Sequence, residues 1–281
     1  MSKQYPIFIP SFSKSCLTAA VFFSMLGCNS GGNTETQTDT TAVSADTASN
    51  ASAPVTNTTM EASANSLTEQ EKAEGWQLLF DGQGTKGWKG YTKNAFPEKG
   101  WEIKDGTLTV LQSGPNSTAG GDIITEKQYE NFDLKFEFKL TPGANSGVLY
   151  RVKEVPNEES WHSAPEYQVI DNQAWEKKGD LDMKTHRTGD NYDLHAAPAD
   201  YMKPVGEWNE GRIVVNNGKV EHWLNGQKAI EYDVNSQKWK DEVKKSKFAS
   251  YKEYGANKKG HIGIQDHGAT VYYRNIKIKE L

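Results

Sequence analysis

No cysteine follows residue 28 in this 281-residue chain, because its two cysteines are Cys16 and Cys28. The rest of the protein therefore contains no disulfide, no cysteine-ligated metal site and no thiol nucleophile. The chain also lacks a G-x-S-x-G nucleophile motif, a phosphate-binding glycine loop ahead of a helix, and an H-E-x-x-H zinc motif. These absences argue against serine hydrolases of that type, nucleotide-binding enzymes and zinc proteases.

Residues 29–70 contain no aromatic side chain and neither lysine nor arginine. Such a segment cannot bury enough apolar area to offset its conformational entropy, so it is predicted to be a flexible tether. Its five acids equal the whole-chain net charge of −5, and setting aside the two lysines at positions 3 and 14 as well leaves residues 71–281 at about −2. A nearly neutral domain is not built to bind a polyanion, so nucleic acid is not an expected partner.

The N-terminus has the pattern of an export signal. Lys3 and Lys14 precede a short apolar run at residues 16–23, which is too short for a mature membrane span. Leu26-Gly27-Cys28 resembles a bacterial lipobox, in which the cysteine is lipidated. The sequence thus predicts a signal peptide over 1–27, a lipidated linker over 28–74 and one domain over 75–281. The expected location is the periplasm or cell envelope, anchored to the membrane through Cys28; an ordinary signal cut nearby is the alternative.

The domain has the alternation of β-strands. Residues 132–140 alternate apolar and charged side chains, and Asp105-Gly106 and Asn225-Gly226 are typical of tight hairpin turns. Only residues 237–251 have a helical pattern. The sequence therefore predicts an all-β sandwich of two antiparallel sheets with one surface helix. Its strands are expected at 76–80, 101–104, 107–111, 132–140, 146–153, 166–170, 211–215, 219–224, 229–232, 261–265 and 271–279.

The segment S-A-P-E-Y-Q-V-I-D at residues 163–171 is the first candidate for an active site. In a strand, Glu166 and Gln168 share one face with Ile170, while Tyr167 and Val169 share the other. A carboxylate beside an amide on one wall of a sheet suits acid–base chemistry on carbohydrates. A solvated outer face is the alternative interpretation.

Two further segments bring polar groups to strand ends. N-S-G-V-L-Y-R begins at Asn145 and ends at Arg151, and H-I-G-I-Q-D-H-G contains Gln265, Asp266 and His267. Two aromatic residues near the acidic segment, Trp161 and Trp175, could bind a sugar or pack in the core. The oxygen-rich stretch formed by Asp180, Asp182, Asp190 and Asp193 could bind a hard cation or remain a solvated loop.

Taken in series, the motifs D-G-x-x-x-x-G-W at 81, N-S-G-V-L-Y-R at 145, E-Y-Q-V-I-D at 166, H-W-L-N-G at 222 and H-I-G-I-Q-D-H-G at 261 resemble the 3-keto-disaccharide hydrolase family. The resemblance covers residues 75–281 and implies a concanavalin A-like jelly roll with its site in the groove of the concave sheet. It also implies that the family's arginine, acid, amide and second acid are Arg151, Glu166, Gln168 and Asp171. The pairs Thr188-Gly189 and Tyr192-Asp193 resemble the family as well, and the resemblance assigns no role to His186 and Arg187, which precede them.

The resemblance implies cleavage of glycosides whose sugar carries a ketone at carbon 3. We expect Glu166 to act as base, Asp171 or His267 as acid, and Arg151 with Gln168 at the developing oxyanion, where a divalent cation is a possible cofactor. No E-x-D-x-E spacing supports a covalent retaining mechanism. The residues expected to bind the glycoside or oligosaccharide substrate are Asn145, Arg151, Gln168, Trp161, Trp175, Gln265 and Asp266.

Two other functions fit the same sequence. The domain could be a non-catalytic carbohydrate-binding sandwich, because one fold serves both lectins and enzymes. It could also be a conventional glycoside hydrolase that acts on unoxidised glucans. Two or more titratable groups within reach of one sugar ring favour an enzyme, and an aromatic platform without an acid favours a binding module.

Overall fold

The structure is a computed structural model that describes residues 63–113 and 119–281. The predicted signal peptide, the predicted lipidation at Cys28 and most of the predicted linker lie outside these residues. The strands are β1 (Gln77–Leu78), β2 (Trp88–Gly90), β3 (Trp101–Lys104), β4 (Thr107–Val110), β5 (Ile123–Thr125), β6 (Phe132–Leu140), β7 (Asn145–Val152), β8 (Glu166–Ile170), β9 (Asn209–Asn216), β10 (Lys219–Leu224), β11 (Gln227–Asp233), β12 (His261–Ile264) and β13 (Val271–Glu280). The α-helices are α1 (Glu69–Ala73), α2 (Asn172–Lys178) and α3 (Gln237–Lys245), and two 3₁₀ helices span Ser160–His162 and Lys247–Ser250.

The strands form two antiparallel sheets. The larger has the order β11-β10-β9-β6-β13-β4-β3, with β1 also paired to β13, and the smaller has the order β2-β5-β12-β7-β8. All pairings between neighbours are antiparallel, and hairpins connect β3 to β4 and β10 to β11 at the predicted turns. Asp105 and Asn225 have positive φ there, as tight primed turns require. The predicted all-β, concanavalin A-like jelly-roll sandwich is confirmed.

The core lies between the two sheets. The five apolar side chains of β6 are buried on one face, and its charged residues alternate with them on the other face. One of these, Asp133, forms a bidentate pair with Arg212 on β9, with Nε and Nη2 at 2.8 and 2.7 Å. Tyr167 of β8 contacts Phe136 edge to face at 5.3 Å across the sandwich. The strand alternation predicted for residues 132–140 and 166–170 is therefore present in the structure.

The structure departs from the prediction at short elements. The strands β2 and β5 were not predicted because three residues are too few to show a period. The helix α1 lies within the predicted linker, where Thr68 and Glu71 form a capping box, so part of the predicted linker has regular structure. Asn65 donates to the carbonyl of Gly106 at 2.8 Å, which fastens the same segment to a hairpin. Within the described part of the chain, no helix has both the length and the apolarity to cross a bilayer.

Candidate active site

The outer face of the smaller sheet carries the candidate active site. Tyr167 and Val169 of β8 point into the core, and Glu166 and Gln168 point away from it, as the alternation predicted. Asn145 belongs to the neighbouring strand β7, and Gln265 directly follows β12, where its backbone N–H donates to Gly147 at 2.9 Å. Three adjacent strands thus present polar side chains on one surface.

These side chains line a cavity of about 200 Å³, which we call the Glu166 cavity. The sheet forms its floor, and loops and a 3₁₀ helix supply Tyr192 and Lys247 from above. Glu166 is 5 % exposed and is the only carboxylate among the lining residues. The complete lining is Asn145, Trp161, Glu166, Gln168, Tyr192, Lys247, Gln265 and His267.

A glycine makes room for the buried carboxylate. Gly147 lies beside Glu166 on β7, and a Cβ added to it would overlap Oε1 and come within 2.7 Å of Cγ of Glu166. The Gln168 amide, with its nitrogen turned toward the acceptors around it, donates to Oε1 of Glu166 at 2.8 Å. Next to them, the hydroxyl of Ser146 donates to the Gln265 carbonyl at 2.7 Å. The N-S-G motif therefore supplies a lining amide, a hydroxyl that fixes the next strand and the space for the acid.

Burial raises the pKa of Glu166 to about 8, because the ionised carboxylate loses its hydration. The negative charge of Asp122 raises this pKa further, and the ammonium of Lys247 opposes the rise. The pKa of Lys247 is itself lowered, chiefly by partial burial, although the residue as a whole is exposed. Its Nζ lies 3.9 Å from the centroid of the Tyr192 ring. The cavity thus pairs a carboxyl group whose pKa is raised to about 8 with an ammonium group whose pKa is lowered.

A second cavity of about 250 Å³ adjoins the first, and we call it the Trp175 cavity. Trp175 lines it from α2, where the indole N–H donates to the Gly143 carbonyl at 3.2 Å. Asn145 and His267 line both cavities, so they mark the boundary between the two. The aromatic residues Trp161 and Trp175 are therefore placed one in each cavity.

Three of the residues predicted from the sequence line neither the Glu166 cavity nor the Trp175 cavity. Asp171 caps helix α2, and its carboxylate accepts from the backbone of Ala174 at 3.1 Å and of Gly143 at 2.8 Å. Asp266 is buried and accepts from the backbone of Gly120, Gly121 and Gly268. Both carboxylates are occupied in holding loops. A catalytic role for Asp171 and substrate contact by Asp266 therefore have no support in this geometry.

Arg151 is the third predicted residue that lies outside these cavities, because β7 is irregular at this position. It has φ of +61° near the end of β7, where the pairing with β12 shifts register between His261 and Gly263. Such a bulge interrupts the alternation of side chains along a strand. Arg151 lines a separate cavity that shares no residue with the Glu166 cavity.

Two lining residues were missed from the sequence. Tyr192 is placed by the segment 188–192, which runs along β8 and donates from Tyr192 N to the Glu166 carbonyl at 3.1 Å. His186 sits edge-on to Tyr192 with ring centroids 4.5 Å apart, and its Nε2 is 3.4 Å from the Asp193 carboxylate. Lys247 follows a lysine-rich helix, and no sequence signal separates it from its neighbours. The resemblance to the family at Tyr192-Asp193 was the one feature of the sequence that indicated this side of the Glu166 cavity.

The acidic stretch at 180–193 is dispersed in the structure. Asp180 pairs with Lys178 at 2.7 Å, and Asp190 accepts from the backbone of Arg187 and Ala197 at 2.8 and 2.7 Å. Among residues 63–113 and 119–281, no three His, Cys, Asp or Glu side chains are grouped so as to hold a metal ion. The divalent cation expected from the sequence remains a prediction.

Comparison with known proteins places the chain in a family. Residues 75–279 match the family described as the 3-keto-alpha-glucoside-1,2-lyase-like domain. A protein from Bacteroides thetaiotaomicron described as a 3-keto-disaccharide hydrolase is 32 % identical over 288 residues, covering 95 % of this chain and 96 % of that protein. A structure from Parabacteroides distasonis, classed as a candidate glycosyl hydrolase, is 36 % identical with a TM-score of 0.70, covering 78 % of this chain and all of that one. A second from the same organism and class is 29 % identical with a TM-score of 0.58, covering 73 % and 99 %.

A jelly-roll sandwich with a buried acid, an ammonium and amides around one cavity defines, with these relatives, a glycoside-cleaving enzyme. The match spans most of the folded chain. The chain belongs to the 3-keto-alpha-glucoside-1,2-lyase-like domain family, as the resemblance predicted.

We predict that Gly147→Ala lowers kcat/KM about 100-fold or more, because the new methyl group displaces the Glu166 carboxylate. The measurement is turnover together with thermal unfolding, which checks that the sheet remains folded. Gly84→Ala is the matched control, because a Cβ at Gly84 meets nothing within 4 Å. Turnover at the wild-type rate in a folded Gly147→Ala variant would contradict the role given to this glycine.

A second prediction concerns stability and pH. The pKa of Glu166 is raised from 4.5 to about 8 on folding, so the unfolded chain ionises first and the wild type loses stability as pH rises through this window. Glu166→Gln keeps the shape without this titration. We expect Glu166→Gln to gain roughly 2–5 kcal/mol relative to the wild type between pH 4.5 and 8.5.

The measurement is denaturant unfolding of both proteins at several pH values across that window. The difference in unfolding free energy should grow with pH and level off above about 8. A difference that does not change with pH would mean that Glu166 is ionised at its ordinary pKa.

Proposed function

We propose that this protein cleaves 3-keto-disaccharides by removing the proton at carbon 2 and expelling the glycosidic oxygen from carbon 1. Family membership and the relative described as a 3-keto-disaccharide hydrolase support this substrate class. The observation that carries the mechanism is the position of Glu166: a single buried carboxyl group, with its pKa raised to about 8, in a cavity of about 200 Å³.

Glu166 is the base in this proposal. A ketone at carbon 3 acidifies the neighbouring C2–H bond, and a carboxylate with a raised pKa is a stronger base than an ordinary one. Glu166 accepts the C2 proton, and the electron pair of that bond forms an enolate with the ketone. The enolate then expels the glycosidic oxygen from carbon 1, leaving a double bond between carbons 1 and 2. Water adds its oxygen at carbon 1 while carbon 2 takes the proton back from Glu166. The proton that this water releases restores the acid that protonated the leaving oxygen, so the overall result is hydrolysis.

Lys247 stabilises the enolate. Its ammonium lines the same cavity as Glu166 and acts on the charge of that carboxylate. Fixed positive charge near a developing oxyanion lowers the barrier most in a site with little water. Three amides, those of Asn145, Gln168 and Gln265, line the cavity with it and suit the hydroxyl groups of a sugar ring.

His267 donates the proton to the leaving oxygen. A disaccharide has two rings joined by one oxygen, and the site has two adjoining cavities that share His267 and Asn145. The oxidised ring occupies the Glu166 cavity and the leaving sugar lies against Trp175, so the linkage falls beside the imidazole. An exposed histidine at this boundary can exchange protons with solvent between turnovers.

The conventional alternatives fit less well. A retaining glycosidase needs two carboxyl groups about 5–5.5 Å apart across the scissile bond, and Glu166 is the single carboxylate lining its cavity. A non-catalytic sugar-binding sandwich needs no buried titratable group, whereas an acid, an ammonium and an imidazole line this cavity together.

The test is a product assay on a 3-keto-disaccharide and on its unoxidised parent, each with and without a chelator. We expect the wild type to cleave only the oxidised sugar, and Glu166→Gln to lose about 10²–10⁴-fold in kcat while remaining folded. The chelator arm tests the divalent cation expected from the sequence. Retained turnover in Glu166→Gln, or comparable cleavage of the unoxidised parent, refutes this mechanism.

The pH dependence gives a further prediction. The base form of Glu166 accumulates as pH rises, so kcat/KM should increase about tenfold per pH unit and level off above about 8. Lys247→Met removes the cation that lowers the pKa of Glu166, so the rising limb should move to higher pH.

The measurement is the pH profile of kcat/KM for the wild type, Lys247→Met and the exposed-lysine control Lys252→Met. The control should keep the wild-type profile. If the rising limb of the pH profile does not move in Lys247→Met, Lys247 does not influence the pKa of Glu166, even if kcat falls.

A further inference from the structure

A third cavity, of about 460 Å³, lies between helix α3 and the chain that follows the second 3₁₀ helix, and we call it the Arg151 pocket. It shares no lining residue with the Glu166 cavity or the Trp175 cavity. Its volume lies in the range of sites for small molecules. The lining residues that bear polar or aromatic groups are Arg151, Asn235, Trp239, Lys240, Tyr254 and Lys258.

The bulge in β7 sends Arg151 to this pocket. Gly260 permits the bulge, because a Cβ there would come within 2.6 Å of the Arg151 Cα. Arg151 is 4 % exposed, and its Nε and Nη1 have no hydrogen-bond partner in residues 63–113 and 119–281. A buried guanidinium stays charged, and a buried charge without a partner is costly. The chain therefore maintains at a fixed place a guanidinium with two unpartnered N–H groups.

The surroundings are also donors and cations. Lys240 and Lys258 line the same pocket, and none of its lining residues is a carboxylate. The hydroxyl of Tyr254, another lining residue, is buried and has no hydrogen-bond partner among the described residues. The hydroxyls of Tyr150 and Tyr232 influence the charge of Arg151, but they bond to each other and, from Tyr150, to His222. Glu130 acts on Arg151 as well, without an ion pair between the two.

We propose that the Arg151 pocket binds a small oxyanion, a carboxylate, sulfate or phosphate group, with the Arg151 guanidinium as its principal partner. A guanidinium presents paired N–H donors that match the oxygens of such groups. Lys240 and Lys258 raise the local concentration of anions. The oxyanion is either free or carried by an acidic sugar, and both sources share this chemistry. The site is independent of the reaction proposed at Glu166.

The experiment measures binding to the full-length protein in Tris chloride, with sodium chloride holding the ionic strength constant. Sodium sulfate, sodium phosphate, glucuronate and uncharged glucose are added separately, and calorimetric titration and thermal unfolding are recorded. We expect one oxyanion per chain and a rise in Tm of roughly 3–6 °C at ten times Kd. Tighter binding of glucuronate than of sulfate or phosphate identifies an acidic sugar, and the reverse identifies an inorganic anion.

Arg151→Met separates specific binding from the general stabilisation that sulfate gives to folded proteins. This variant keeps the apolar volume and should lose the calorimetric signal and the extra rise in Tm. Lys240→Met and Lys258→Met should each weaken binding several-fold, and Lys244→Met, an exposed change on the same helix outside the pocket, should not.

Equal rises in Tm for the wild type and Arg151→Met overturn the proposal, as does binding of glucose as tight as that of glucuronate. If Arg151→Met does not fold, the two lysine variants and the wild-type titration decide. If the calorimetric titration of the wild type shows no saturable heat below about 10 mM anion, the proposal is overturned without any variant. A Kd above that concentration is too weak for a specific site.

Discussion

One carboxyl group buried beside a glycine is the constraint on which the site depends. Glu166 has room on the outer face of the smaller sheet only because position 147 carries no side chain. Burial holds the acid in its neutral form until the pH nears 8, which costs stability but, in the proposed mechanism, yields a base suited to the removal of a carbon-bound proton. Proteins retain such costly groups where chemistry needs them. The sheet supplies this environment with strand residues, which hold the acid more rigidly than a loop would.

The core fixes the orientation of that acid. Tyr167 lies between the sheets, contacts Phe136 edge to face and donates from its hydroxyl to the Trp223 carbonyl at 3.1 Å. Because side chains alternate along a strand, this packing obliges Glu166 and Gln168 to face outward. A shift of register by one residue would bury the carboxylate in the apolar core and expose the tyrosine. The large sheet, which contributes nothing to the lining of the Glu166 cavity, thus determines the geometry of the site.

Sequence reasoning succeeded where the chain keeps a regular period. The alternation in residues 166–170 placed Glu166 and Gln168 together, and the N-S-G and Q-D-H motifs brought Asn145, Gln265 and His267 to the same cavity. It failed where the period breaks. A bulge turns Arg151 to another pocket, and a helix begins directly after Asp171 and takes its carboxylate as a cap. Lys247 is 81 positions from Glu166 among similar lysines, so its place in the site arises only from tertiary packing.

The arrangement explains why one carboxylate can suffice for cleavage of a glycoside. A conventional glycosidase must stabilise positive charge at carbon 1 and therefore places acids on both sides of the bond. In the proposed reaction, a ketone at carbon 3 moves the chemistry to negative charge instead, because the intermediate is an enolate. Such a charge needs one base to create it and cations or donors to stabilise it, and these are the groups that Glu166, Lys247 and the lining amides provide. The positive charge near the acid, which would oppose an oxocarbenium ion, favours an enolate.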